Sequence, residues 1–585
     1  MRITLRFTLR VMAAMVVTAG SPWAGSVLAA QTLRAAGASE RCAGERVVGI
    51  TQRAVHRELI TRAWRVGRAL TRRLEQLQPV TDTGVIRRYL LVRVGERCDE
   101  QARAESERIL RAQPFISDAV IRAVPTGPGE VRLEVETIDE FQLRAEYWGT
   151  TGLPAGVDGG TMNLLGRGEA LSGLVEYGYG GHMGAAVSFT DYQAFGRPLE
   201  LLASVAERPL AHAATLSLRR PFLTNFQRSS WLLGVNYDRR YITFRAPEIR
   251  DLSLDFARRR WEAGRVMRVG SPTSGVNLGV AVTGEESWPL GTVVIRSHGP
   301  TYAPGPLLLA RYPSFSALRA GVAVGMRHVH FTTVRGFDAI TAPQDIAKGT
   351  QAFVLLLQGV APTARREADQ LALFNVMMAS GTPRSMTQML WQSETRFPHG
   401  DGVGGGGNDR RPQTVGSGRV AWYGQTGTSH TTIVGVEGSG GWRARLPLQL
   451  TFRGDDAGLL GWRTTEAGGS QRVIARVEDR WRLNVPVRRA DFAVALLAQG
   501  GRLWAGDAPY TTSTPWRAGV GVALLAAVPA GSKQTIRLEI GRAIGPGAPR
   551  GREIRISWTD RTRSFWREPG DVWLARETSY VSQIF

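Results

Sequence analysis

Residues 276–286 read VNLGVAVTGEE, and this short stretch decides what kind of fold the chain builds. Val276, Leu278, Val280 and Val282 fall on every second position, with Asn277, Gly279, Ala281 and Thr283 between them. A period of two sends the aliphatic side chains to one face of a β-strand and the small or polar ones to the other. The alternation recurs in ALSGLVEYGYG (170–180), AAVSFTDYQ (185–193), LELLASVAERP (199–209) and WLLGVNYDRR (231–240). Turn residues separate these segments, Trp and Tyr recur at their ends, and no run of helical periodicity intervenes after Phe141. Hundreds of such residues in one exported chain predict a transmembrane barrel, because a closed sheet pairs every backbone amide within lipid. Allowing roughly 25–30 residues per strand with its loop, residues 140–585 predict about 16 antiparallel strands.

Export is read from the N-terminus. MRITLRFTLR carries three arginines and no acid, VMAAMVVTAG is a ten-residue apolar run, and SVLAA supplies small residues before Gln31. That order is the one of a secretory signal peptide, residues 1–30, cleaved after Ala29 or Ala30. No later segment offers the roughly 18 consecutive apolar residues of a membrane helix. The formal net charge is +22, yet export and the even spread of arginines argue against nucleic acid as a partner. Lys348 and Lys533 are the two lysines, an arginine bias that points to base composition rather than to a binding patch.

Catalytic chemistry finds no support. The chain has no GxSxG, HExxH or CxxC, and His182, His212 and His298 stand alone. GVGGGGN (402–408) precedes no helix and so cannot cradle a phosphate. The reading is therefore a protein that is not an enzyme, with no cofactor and no metal. Cys42 and Cys98, the two cysteines, form a candidate disulfide closing a loop of about 56 residues.

The leading part, residues 31–139, has a different pattern. ERVVGITQRAV (45–55) predicts a strand, and residues 85–115 hold two helical stretches, with Asp99 placed to cap the second. DAVIRAVP (118–125) and EVRLEVETI (130–138) alternate as half-buried strands around a TGPG turn. These residues resemble a POTRA domain: a helix leading to a Gly, a second helix ending in Leu-x-x-x-x-Phe, then two strands ending in an acid. TRAWRVGRALTRRLEQLQPVTDT (61–83) is an insertion relative to that pattern. The resemblance implies a periplasmic module that engages client chains or lipoprotein partners, partly by strand addition.

The barrel resembles a family as well. NLLGRGEALSGLVEYGY (163–179) is similar to early strands of the BamA/TamA-like outer-membrane assembly superfamily, the bacterial surface antigen family, and LSLRRPFL (216–223) to a Pro-containing strand that follows. The resemblance implies a bacterial outer-membrane location, lipids as surroundings and unfolded proteins as clients. The alternative is a passive pore, receptor or surface antigen of the same architecture. The family also implies a lumenal loop whose tip arginine pairs with acids on the inner wall. Val334, Arg335, Gly336 and Phe337 match that tip by letter, whereas residues 446–481 match its surroundings. Since 248 residues follow Phe337 and 123 follow Trp462, position favours the second. There Leu460 stands where the family has arginine, leaving Arg453 or Arg463, near Gly461 and Trp462, to meet Glu478 or Asp479. The closing strand is either REIRISWTD (552–560), leaving a tail inside the barrel or in the periplasm, or SYVSQIF (579–585).

Overall fold

The computed structural model describes residues 41–56, 79–148, 155–178, 182–246, 251–296, 298–360, 369–398, 411–453, 458–463, 467–484, 490–560, 565 and 567–577. The expected signal peptide, most of the 61–83 insertion, most of the GVGGGGN loop and the SYVSQIF end lie outside the described residues.

The N-terminal part runs β1 (Arg46–His56), α1 (Thr83–Arg88), α2 (Glu100–Ala112), β2 (Ile116–Gly127) and β3 (Glu130–Asp139). Its sheet has the order β1-β3-β2, with β1 parallel and β2 antiparallel to β3. Asp99 caps α2 by accepting from Ala102 N at 2.7 Å, satisfying one of the first-turn amides. Ile109, Leu110, Phe115, Ile121 and Leu133 are buried together between helix and sheet. Cys42 and Cys98 are disulfide-bonded, with Cα atoms 5.1 Å apart.

Strands β4 (Leu143–Trp148) to β24 (Glu553–Asp560) then form one closed antiparallel barrel. One of them, β13 (Gly299–Tyr302), is a short return at the outer end of β12 (Ser274–Arg296), and β12 itself pairs with β14 (Phe315–Arg335). Among the described residues the wall therefore has 20 strands, against about 16 expected. The discrepancy has a simple cause: connections at one end are very short, such as the two residues between Thr382 and Ser385, so each strand consumes about 21 residues with its loop rather than 25–30.

The wall follows the alternation. On β12, Val276, Leu278, Val280 and Val282 are exposed on the outside, whereas Asn277 and Ala281 are 1% exposed within. Leu233 and Val235, Val322, Val324 and Met326, and Leu496 extend this apolar outer face around the barrel. An outside of this composition is the solvent-facing pattern inverted, as lipid requires.

The N-terminal domain sits against one mouth, held by the turns there. After β5 (Ala155–Thr161), β7 (His182–Asp191) and β9 (Ala211–Arg220), three successive turns each offer an amide residue: Asn163 Nδ2 donates to Thr81 Oγ1 (2.8 Å), Gln193 Nε2 to Val85 O (2.8 Å) and Asn225 N to Glu105 Oε1 (2.6 Å). Further round, Arg111 pairs with Asp345 at 2.9 Å and Lys533 Nζ donates to Ile116 O at 2.7 Å. Contacts on several sides fix the domain more firmly than any single one would.

Candidate functional site

Among the described residues three segments enter the barrel, and together with the wall they build the candidate site. The first is the connection of residues 443–470, from β19 (His430–Trp442) to β20 (Gln471–Leu483), at the mouth away from the N-terminal domain. Leu448, Leu450, Phe452, Leu459, Leu460 and Trp462 are all buried, so this loop folds inward. Trp462 Nε1 donates to Ala518 O at 2.7 Å, and Gly461 N donates to Glu553 Oε2 at 2.7 Å. Gly461 has φ +84°, and a Cβ there would lie 2.1 Å from Ala543 N, so a side chain has neither the conformation nor the room. Leu460 lies against Gly519, Gly521 and Gly541 on β22 (Arg517–Ala527) and β23 (Gln534–Ile544); its carbonyl takes the space the missing Cβ leaves at Gly519, and its side chain the space at Gly521 and Gly541.

The polarity of this seat is reversed relative to an arginine-tipped loop. Here the wall supplies the guanidinium groups and tip carbonyls accept from them: Arg555 Nη2 donates to Leu459 O and Arg476 Nη2 to Gly458 O, both at 3.1 Å. Arg517 lies 4.6 Å from the Trp462 ring. Glu478 is the inward acid of its strand and is gripped by Arg480 (2.7 Å) and Arg537 (2.9 Å). Asp479 lies half-exposed against His430 at 2.7 Å. Arg463 and Arg453 both belong to the loop near the tip, but a leucine occupies its innermost point.

The second segment is the turn holding Val334, Arg335, Gly336 and Phe337, and it enters from the opposite mouth. Strand β14 descends to the N-terminal domain, where Arg335 meets Asp118 at 3.2 Å. Phe337 is fully buried, stacks on Tyr423 with ring centres 4.7 Å apart, and its carbonyl accepts from Arg480 Nη1 at 2.6 Å. Ile340, beyond it, belongs to the same buried cluster as Leu460, together with Ala493, Ala495 and Leu497. Letters alone pointed to this turn as a lid tip; its place at the domain-side mouth gives it a different job.

The third segment follows β24. Phe565 packs with Met386, Leu390 and Tyr423, and residues 567–577, including α4 (Gly570–Leu574), climb to the far third of the barrel. α3 (Pro306–Arg311) lies in the outer loop above. Asp571 pairs with Arg472 at 2.6 Å, Glu577 with Arg319 at 2.6 Å, and Arg576 with Glu568 at 3.1 Å. The wall arginines in these contacts were legible only as inward positions of alternating strands; nothing in the tail's own letters marked its partners.

No family model and no curated protein matches the chain. Among solved structures it is similar to CdiB from Escherichia coli (10% identity, TM-score 0.43, covering 88% of this chain and 76% of that one). It is also similar to BamA from Haemophilus ducreyi lacking POTRA domains 1–3 (12%, 0.35, 88% and 83%). The FrpB iron transporter from Neisseria meningitidis matches at 9%, 0.35, 76% and 86%. At such identities and scores the likeness assigns neither family nor function.

Proposed function

We propose that the chain is a bacterial outer-membrane barrel that assists the assembly or translocation of other proteins, with its N-terminal domain acting as a periplasmic POTRA module. The observation that carries this reading is the fastening of a small β-α-α-β-β domain to one mouth of an apolar-faced barrel, from Thr81 to Lys533. An unfolded client meeting that domain is delivered to the barrel rather than to bulk solvent, and a lipoprotein partner has the same surface to use. Lipids surround the wall. The action is mechanical, not enzymatic.

The seam between the first and last strands is where a client strand would add. β24 is hydrogen-bonded to β4 and closes the barrel. An edge opened there is a template for a new strand. A passive pore is the weaker reading, because loop, turn and tail all enter the lumen. Depleting the protein and measuring the outer-membrane proteome tests the proposal: loss of other barrel proteins is expected, and an unchanged proteome would overturn it.

A further inference from the structure

The upper lumen wall grips the tail in a manner that a mere packing contact does not require. Arg258 Nη2 donates to the carbonyls of Arg576 (2.6 Å) and Glu577 (3.2 Å), and its Nη1 to that of Leu574 (3.2 Å). Glu394 Oε1 accepts from Glu577 N at 2.6 Å. Main-chain contacts of this kind hold a peptide whatever its side chains. Arg319 and Arg472 add charge selection by taking the carboxylates of Glu577 and Asp571, six positions apart. Arg258, Arg319 and Arg472 are each at most 4% exposed.

Vacating such a site normally strands buried charge, which is strongly unfavourable. Here each arginine also has a carboxylate on the wall itself: Arg258 has Glu285, Arg319 has Asp369 at 2.5 Å, and Arg472 has Glu437 at 3.9 Å. The tail can therefore leave without leaving bare guanidinium groups behind. A site that remains compensated when empty is built for exchange.

We propose that the wall around Arg258, Arg319 and Arg472 is a binding site for acidic peptide segments, occupied by the chain's own C-terminal segment, which thereby plugs the barrel. A segment with two carboxylates at the same spacing competes for it. The inference needs only a membrane-inserted barrel, not client handling, so it stands or falls apart from the assembly reading.

The test uses full-length protein, a deletion of residues 565–585, and a full-length Asp571→Asn/Glu577→Gln variant, each reconstituted in planar bilayers. Folding of each is checked by heat-modifiable gel migration. Wild type should stay closed, and both variants should show discrete conductance steps. A synthetic peptide of residues 565–577 should then close the deletion variant's steps. The same peptide with Asn at 571 and Gln at 577 should need at least ~tenfold more, the factor one charge-assisted hydrogen bond is worth. If the deletion does not fold, the full-length double variant carries the test with the same peptides. A folded variant as closed as wild type, or two peptides that block alike, would overturn the proposal.

Discussion

Single residues decide how firmly the parts are held. At Asp139, in the N-terminal domain, burial pushes the carboxyl from its ordinary 3.8 up to about 6, against the opposing bonds from Thr81 N and Oγ1, each 2.8 Å. A raised carboxyl favours the folded state when protonated, so its contribution is full below pH 4 and is lost as pH rises through 6. Asp139→Asn should therefore gain about 2 kcal/mol relative to wild type between pH 4 and 7.5. Urea midpoints at the two pH values check this; equal differences at both would refute it. Gly461 is the corresponding residue in the loop. Gly461→Ala cannot keep φ +84° beside Ala543 without strain, and should lift the tip, by roughly 1–3 kcal/mol of lost docking. Faster protease cleavage within 443–470 would report it, and an unchanged cleavage rate would contradict the seat described. Neither residue advertises this in sequence: a glycine among glycines gives no hint of what stands 2.1 Å away.

Elements were more legible than residues. Period-two alternation marked Val276–Thr283 as strand and its inner and outer faces, because lipid on one side and a filled lumen on the other leave little freedom. Asp99 before an amphipathic run marked the start of α2 for an equally local reason. Strand number was not legible, since it depends on turn lengths such as the two residues after Thr382 and not on the strands. The loop tip was half legible. The glycines and Trp462 told that the segment folds tightly, but Leu460's partner is a groove of three glycines on distant strands. In the N-terminal domain, the Cys42–Cys98 bond ties the start of β1 to the start of α2. Replacing both cysteines by serine should lower that domain's stability by about 4 kcal/mol on the loop-entropy estimate for some 56 residues. Limited proteolysis of the N-terminal domain would show it, and equal resistance would count against a stabilising bond.

At the scale of the whole molecule, the parts form a barrel entered from both ends. Residues 443–470 enter from one mouth and 336–342 from the other, with the tail between them, while the N-terminal domain covers the second mouth. The wall closes where β4 meets β24. Domain docking should be separable from the wall: Arg111→Ala breaks the pair with Asp345 and should weaken docking, raising hydrogen exchange in α2 while the barrel's own strands stay protected. Uniform protection in the variant would mean that this pair contributes nothing. The assembly reading itself is tested most directly by site-specific photocrosslinking in cells. A photoreactive residue at Ile556, outward on β24, should capture newly made outer-membrane proteins, and one at Val324, outward on β14, should not. Adducts at neither position, or equally at both, would contradict a client-accepting seam.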